Sequence, residues 1–189
     1  MNSIEFKPAA LDAAASLELI EAVQQEYVAR YGGRDVTELA VAEFEPPQGI
    51  FMIGWDAAAP VACGGVRLVA PGVAELKRMY VVPAARRRGI ARAMLADLES
   101  RARLLGAVQL RLETGLHQPE ALSLYASAGY IDAEPFGHYA DAPLARHLAK
   151  SLVDAEVTRS SSSNPSIHLC ASVMDAIVPN APRAESVDL

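Results

Sequence analysis

Residues 75–105 constrain the fold most, because a strand-like run passes through an arginine-rich loop directly into an amphipathic helix. The apolar run ends at Pro83, and three consecutive arginines at 86–88 precede Gly89. Apolar residues then recur at the helical period, which predicts a helix over residues 89–105. A strand that leads directly into such a helix is typical of a sheet covered by helices.

The other elements are predicted from the same periodicities, with glycine and proline marking their ends. Helices are expected over residues 10–31 and 36–44, and from Pro119 to just before Gly129. Strands are expected over residues 4–7, 50–55, 60–69, 74–82, 108–113, 130–133 and 145–152. This order predicts the α/β class, in the form of an α+β mixed sheet flanked by helices.

The chain of 189 residues is expected to form one globular domain over residues 1–153, followed by a tail at 154–189. A serine-rich stretch at 158–165 is typical of a flexible linker. Beyond it, four apolar residues fit a short amphipathic helix, namely Ile167, Cys170, Met174 and Ile177. Two interpretations stay open, a disordered tail or a helix that docks on this subunit or a neighbour.

The composition excludes several classes of protein. A net charge of −6 does not suit a chain that coats nucleic acid. Two cysteines outside any CxxC pair and four dispersed histidines predict neither a disulfide framework nor a metal site. The N-terminus lacks the pattern of a signal peptide, and no apolar run reaches the length of a membrane span. We therefore expect a cytoplasmic protein without nucleic-acid or membrane partners.

The loop after Pro83 has the chemistry of an anion site. Small residues at Gly89 and Ala91 let backbone N–H groups approach an anion, and the N-terminus of the predicted helix adds free donors. The arginines at 86–88 add neutralising charge. A nucleotide P-loop would need Gly-Lys-Ser/Thr, which is absent. A nucleic-acid patch or a solvated face is the alternative for the arginines, and their position between strand and helix favours a phosphate or pyrophosphate site.

The same residues carry a resemblance to a known family. Arg86-x-x-Gly89-x-Ala91 resembles the Arg/Gln-x-x-Gly-x-Gly/Ala signature of the GNAT (N-acetyltransferase) superfamily. Residues 112–115, 121–130 and 135–139 are also similar to the strand end, helix and closing segment of small bacterial members. The resemblance implies the GNAT acyl-CoA N-acyltransferase fold, with a central mixed twisted sheet flanked by helices, and acetyl-CoA as the acyl-donor cosubstrate.

The resemblance also implies which residues hold the cofactor. The strand backbone at Met79, Tyr80 and Val81 would pair with the pantetheine arm, as a strand splayed at a bulge can. Gln118 could also touch the cofactor. The pyrophosphate would be held by Arg86, Arg87, Arg88, Gly89, Ile90 and Ala91.

Two catalytic residues follow from the resemblance. Tyr125 matches the tyrosine that many members of the family use as general acid. A phenol is protonated at neutral pH and can donate its proton to a leaving thiolate. The alternative is that Tyr125 is a structural tyrosine of the core. Glu75 lies eleven residues before Arg86, the offset of a catalytic glutamate in some members. Its alternative is a structural carboxylate paired with Lys77 or Arg111.

The predicted function is an N-acetyltransferase that acts on a primary amine of a small-molecule or peptide acceptor. Direct attack in a ternary complex is expected, because no Ser-His-Asp or Cys-His arrangement supports an acyl-enzyme. The alternative is a non-catalytic acyl-CoA-binding sensor or interaction module of the same fold. A homodimer is common in the family, and the sequence does not decide the acceptor.

Overall fold

The computed structural model describes residues 4–153, and the predicted tail at 154–189 lies outside the described residues. Within these residues the chain forms three helices, α1 (Ala14–Tyr31), α2 (Ile90–Leu104) and α3 (Pro119–Ser127), with 3-10 turns at Val41–Phe44 and Pro83–Ala85. The strands are β1 (Glu5–Pro8), β2 (Gly49–Asp56), β3 (Ala59–Ala70), β4 (Val73–Val81), β5 (Gln109–Gly115), β6 (Ile131–Asp132) and β7 (Ala145–Ser151). Every predicted strand is confirmed, with each end within two residues of the prediction.

One mixed sheet carries the fold, with its strands in the order β1-β2-β3-β4-β5-β7-β6. Neighbouring strands are antiparallel except β4 and β5, which run parallel. A parallel pair needs a crossover connection, and α2 supplies it between these two strands. The arginine-rich loop therefore lies where the chain leaves the end of β4 for the start of the crossover helix.

Apolar side chains pack on both faces of the sheet. Phe51 and Ile53 of β2 belong to one buried cluster together with Leu19 of α1. Met52, which lies between them, belongs to the other cluster together with Leu95 of α2. Because successive side chains of a strand point to opposite faces, α1 and α2 cover opposite faces of the sheet.

Helix α1 begins four residues later than the predicted start at residue 10. The backbone N–H of Ala13 and the hydroxyl of Ser16 both donate to the carbonyl oxygen of Ala10, at 3.1 and 2.7 Å. This turn buries Leu11, so core packing fixes the chain in a turn before the helix starts. The predicted end is confirmed, because Gly32 has the left-handed conformation of a C-cap with φ 76°.

The predicted helix over residues 36–44 is wrong, since only the last four residues form a 3-10 turn. The side-chain amide of Gln24 accepts the N–H of Asp35 at 2.9 Å and donates to the carbonyl of Asp35 at 3.0 Å. Arg78 donates to the carbonyl of Thr37 at 3.1 Å. These side chains occupy backbone groups that a helix would use, so the segment before the turn is not helical.

None of the helices within residues 4–153 combines the length and the apolar character that crossing a bilayer requires. Over the same residues, the His, Cys, Asp and Glu side chains form no cluster that could hold a metal ion.

Candidate active site

The sheet opens where β4 and β5 separate. Their parallel pairing ends at Leu76 and Leu112. Beyond this point β4 continues beside β3 and β5 continues beside β7. The backbone of Arg78 has a left-handed conformation, φ 54°, next to an irregularity in the register of β3 and β4. The divergence leaves a gap in the sheet between the ends of the two central strands.

Two cavities meet at this gap. The first, which we call the tyrosine cavity, has a volume of about 360 Å³, and its wall includes Tyr27, Tyr31, Tyr125 and Tyr139. The second, which we call the arginine cavity, has a volume of about 690 Å³ and lies along the first turn of α2, with Arg86 and Arg87 on its wall. The residues on both walls are Met79, Gln118, Ala121 and Tyr125. Molecules bound in the two cavities would therefore meet at these four residues.

The first turn of α2 presents free backbone donors to the arginine cavity. Gly89 precedes the helix in a left-handed conformation, φ 79°, and no side chain caps the helix. A Cβ built on Gly89 would meet no other atom within 4 Å, so open space lies next to this backbone. The N–H groups at a helix N-terminus attract anions. Gly89, Ile90 and Ala91 line the cavity and fit a phosphate group in this place.

The three consecutive arginines do not share one environment. Arg86 lines the arginine cavity, donates to the carbonyl of Val81 at 2.9 Å and pairs with Glu26. Arg87 lines the same cavity with a left-handed backbone, φ 60°. Arg88 is not on the wall of either cavity and pairs with Asp56 at 2.8 Å. The structure therefore brings two of the three predicted arginines to the cavity.

The end of β4 forms another wall of the arginine cavity, through Met79, Tyr80 and Val81. Because β5 has separated, this stretch has a strand partner on one side only, which is β3. The free side of a strand end offers N–H and C=O groups to an extended ligand.

Gln118 connects the two cavities at the start of α3. Its side-chain oxygen accepts the hydroxyl of Thr114 at 3.1 Å and the backbone N–H of Gly115 at 3.2 Å. These bonds tie the start of α3 to the end of β5. Gln118 thus lies on the walls of both cavities, and its contact with the cofactor stays a prediction.

Tyr125 is buried at the junction of the two cavities. Its ring packs edge-on against Tyr130, with centroids 5.6 Å apart. Burial, and to a smaller extent the neighbouring Tyr27, raise the pKa of Tyr125 well above its ordinary value. The phenol therefore keeps its proton at neutral pH.

Glu75 lies away from both cavities. It is 2% exposed and accepts hydrogen bonds from Arg67 at 3.0 and 3.2 Å. Lys77 Nζ lies 3.2 Å from its other oxygen and 2.7 Å from Glu113. Lys77 and Glu113 line the tyrosine cavity, so Glu75 lies one layer behind its wall. Its role as a base stays a prediction, and Arg111, offered as a partner, instead faces the ring of Phe136 at 4.0 Å.

The tyrosine cavity itself was not foreseen from the sequence. Tyr27 and Tyr31 are one turn apart on α1, a spacing that marks one helix face. Arg78, 5% exposed, pairs with Asp35, the residue directly before the segment that was expected to be helical. Tyr139 donates to the same carboxylate at 3.0 Å. Of these residues, only Tyr139 belongs to a segment that carried the family resemblance, and the resemblance gave it no role.

Comparisons with known proteins agree with the geometry. The family model described as the acetyltransferase (GNAT) family matches residues 16–130. A protein from Azospirillum brasilense named IAA acetyltransferase is 32% identical over 73% of this chain and 91% of its own length. An acyl-CoA N-acyltransferase structure from Klebsiella pneumoniae is 31% identical and aligns with a TM-score of 0.67, over 79% of this chain and 98% of its own. A GNAT structure from Elizabethkingia anophelis with acetyl-CoA bound is 13% identical and aligns with a TM-score of 0.60, over 80% and 99%.

Proposed function

The chain belongs to the GNAT acetyltransferase family, and we propose that it transfers an acetyl group from acetyl-CoA to a primary amine by direct attack. The observation that carries the proposal is the meeting of two cavities at Tyr125. One cavity has the features of a phosphate site and the other lies across the gap in the sheet. A donor and an acceptor held in these cavities would have their reacting atoms beside one phenol.

The arginine cavity is proposed to hold acetyl-CoA. The pyrophosphate would lie at the N-terminus of α2 with Arg86 and Arg87, where free N–H donors and cationic side chains coincide. The pantetheine arm would follow the free side of β4 at Met79 and Val81. A structure of the same fold with acetyl-CoA bound supports this choice of donor.

The tyrosine cavity is proposed to hold the amine. The amine nitrogen bonds to the acetyl carbon while the carbon–sulfur bond breaks, and the leaving thiolate takes the proton of Tyr125. Overall, an ammonium and the thioester give an amide, a thiol and one released proton. A covalent acyl-enzyme is not supported, because Cys63, the cysteine within residues 4–153, is buried and burial raises the pKa of its thiol to about 12.

The proton of the acceptor ammonium is proposed to reach Glu75 through Lys77. Lys77 Nζ passes a proton to Glu75 across 3.2 Å, and the neutral amine that remains takes one from the acceptor. This relay keeps the predicted base while accounting for its position behind the cavity wall.

A calorimetric titration with acetyl-CoA, followed by a thiol-release assay over a panel of amines, tests the proposal. Saturable one-to-one binding with amine-dependent thiol release is the expected result. Binding without turnover on any amine would favour the alternative of a non-catalytic acyl-CoA sensor. A folded protein that binds no acetyl-CoA would overturn the assignment of the donor cavity.

A further inference from the structure

The tyrosine cavity brings together most of the tyrosine side chains of the protein. Four of its six tyrosines line this space of about 360 Å³, namely Tyr27, Tyr31, Tyr125 and Tyr139. They come from α1, from α3 and from the segment before β7, so the fold brings them together from distant parts of the chain. An aromatic wall of this kind favours ligands that offer a ring, because aromatic pairs gain energy beyond the area they bury.

The charged side chains on the wall are already paired within the protein. Arg34 binds Glu21 at 2.7 Å, and Arg78 binds Asp35. Lys77 lies between Glu75 and Glu113. A carboxylate or a second ammonium on a ligand would lose its water without gaining a free counter-charge. The wall therefore disfavours charged substituents on the acceptor.

Two of the rings are held in place before any ligand binds. The ring of Tyr31 stacks on the imidazole of His117 with centroids 5.3 Å apart, and its hydroxyl accepts the backbone N–H of His117 at 3.2 Å. Tyr139 donates to Asp35 and accepts the N–H of Val36, each at 3.0 Å. Rings that are fixed in advance lower the entropic cost of binding a flat ligand.

The volume sets the size of the ligand. A cavity of roughly 150 Å³ is enough to hold benzene. A space of about 360 Å³ therefore accommodates one ring with a short chain. We propose that the acceptor is a compact primary amine whose substituent is a single aromatic ring without a carboxylate or a second ammonium; this inference rests on the proposed function.

The test compares amines that differ in one feature. Phenethylamine is the reference, and cyclohexylethylamine differs from it by lacking an aromatic ring. Phenylalanine adds a carboxylate, and putrescine carries a second ammonium. Thiol release from acetyl-CoA is measured for each amine. We expect kcat/KM for phenethylamine to exceed that for phenylalanine and putrescine by at least about 10-fold, as loss of an uncompensated charge from water predicts. Equal or better use of phenylalanine or putrescine would overturn the inference while leaving the acetyltransferase proposal intact.

A matched pair of variants ties the preference to the cavity. Tyr27→Leu removes one ring, and Tyr27→Phe keeps it. We expect Tyr27→Leu to raise KM for phenethylamine roughly 3- to 10-fold and to change KM for cyclohexylethylamine less than about 2-fold, while Tyr27→Phe retains the preference. An equal change for both amines in Tyr27→Leu would contradict recognition of the ring. If no amine is acetylated although acetyl-CoA binds, the proposed function fails and this inference fails with it.

Discussion

The hydroxyl of Tyr31 occupies the space that a Cβ at Gly115 would take. This contact joins the last turn of α1 to the end of β5, at the point where β5 has left β4. The ring of Tyr31 also stacks on His117, which follows the end of β5 by two residues. One wall of the tyrosine cavity thus depends on the absence of a side chain at one position.

Gly115→Ala should displace Tyr31 and open this wall. No positive φ is involved at Gly115, so the effect would come from the contact and not from backbone strain. Overpacking of this kind costs about 1–3 kcal/mol in the free energy of unfolding. We expect a lower melting temperature and a higher KM for the amine, with unchanged affinity for acetyl-CoA.

Gly33→Ala is the matched control. Gly33 lines the same cavity, has no positive φ, and a Cβ there meets nothing within 4 Å. Its unfolding free energy should stay within about 0.5 kcal/mol of the unmodified protein. Similar losses in both variants would show that the Tyr31 contact is not what shapes the cavity.

Tyr125→Phe should lower kcat by about 100-fold or more, because a general acid contributes at least that much. The ring packing on Tyr130 is retained, so stability and acetyl-CoA affinity should be unchanged. Tyr130→Phe is the control, since its hydroxyl is buried without a partner within residues 4–153 and lines neither cavity. The raised pKa of Tyr125 also predicts that kcat does not fall up to about pH 10, the ordinary value for a phenol. A Tyr125→Phe enzyme with normal turnover would remove the general-acid role.

The arginine cavity could be predicted from sequence because its features are local. The end of β4, the loop and the start of α2 follow one another in the chain, so Gly89 and Arg86 are placed by short-range geometry. Even there, three adjacent arginines cannot be told apart in the sequence. Arg88 is drawn aside by Asp56, a residue of β2 that is 32 positions away.

The tyrosine cavity depends on long-range contacts, which leave no local pattern. Arg78 and Asp35 are 43 residues apart, and Tyr139 reaches the same carboxylate across 104 residues. The propensity of residues 36–44 favours a helix, yet these tertiary bonds override it. Glu75 is a similar case, because Arg67 pairs with it across the β3–β4 hairpin.

Gly89→Leu should weaken acetyl-CoA binding by about 10-fold or more, because the side chain would project into the space beside the α2 N-terminus and the pyrophosphate site proposed there. A left-handed residue other than glycine also costs about 1–2 kcal/mol of stability. Gly106→Leu is the control for that strain, since Gly106 has φ 85° and open space around it but lies outside both cavities. Calorimetry should find normal affinity in Gly106→Leu, and equal affinity in the two variants would argue against the anion site.

Asp35→Asn should destabilise the protein by about 3 kcal/mol, because it leaves the buried Arg78 without its counter-charge. Burial by itself would raise the pKa of Asp35, but Arg78 and the N–H of Thr37 outweigh it, and the pKa lies below its ordinary value of 3.8. A carboxylate whose pKa is lowered by folding stabilises the folded state at pH values above its pKa in the unfolded state. The difference in unfolding free energy between the two proteins should therefore be constant from pH 7 to 5 and shrink as the pH falls below about 4.

Urea unfolding at a series of pH values measures this difference. Glu21→Gln serves as the control, because its pair with Arg34 is at the surface, where such pairs contribute little. If the difference in unfolding free energy between the two proteins stayed unchanged at the lowest pH, the ionised carboxylate of Asp35 would not be the source of the stability.

The proton relay predicts that Glu75→Gln and Lys77→Arg lower kcat alike, by about 100-fold. Arginine keeps the positive charge but does not release its proton, so it would preserve the ion pairs and block the relay. Glu113→Gln is the comparison, since Glu113 touches the same lysine at 2.7 Å without a part in the relay. Its variant should keep kcat even if KM changes. If Glu75→Gln turned over at the normal rate, Glu75 would be the structural partner of Arg67 and Lys77, and the acceptor would have to lose its proton to a group on the cavity wall or to water.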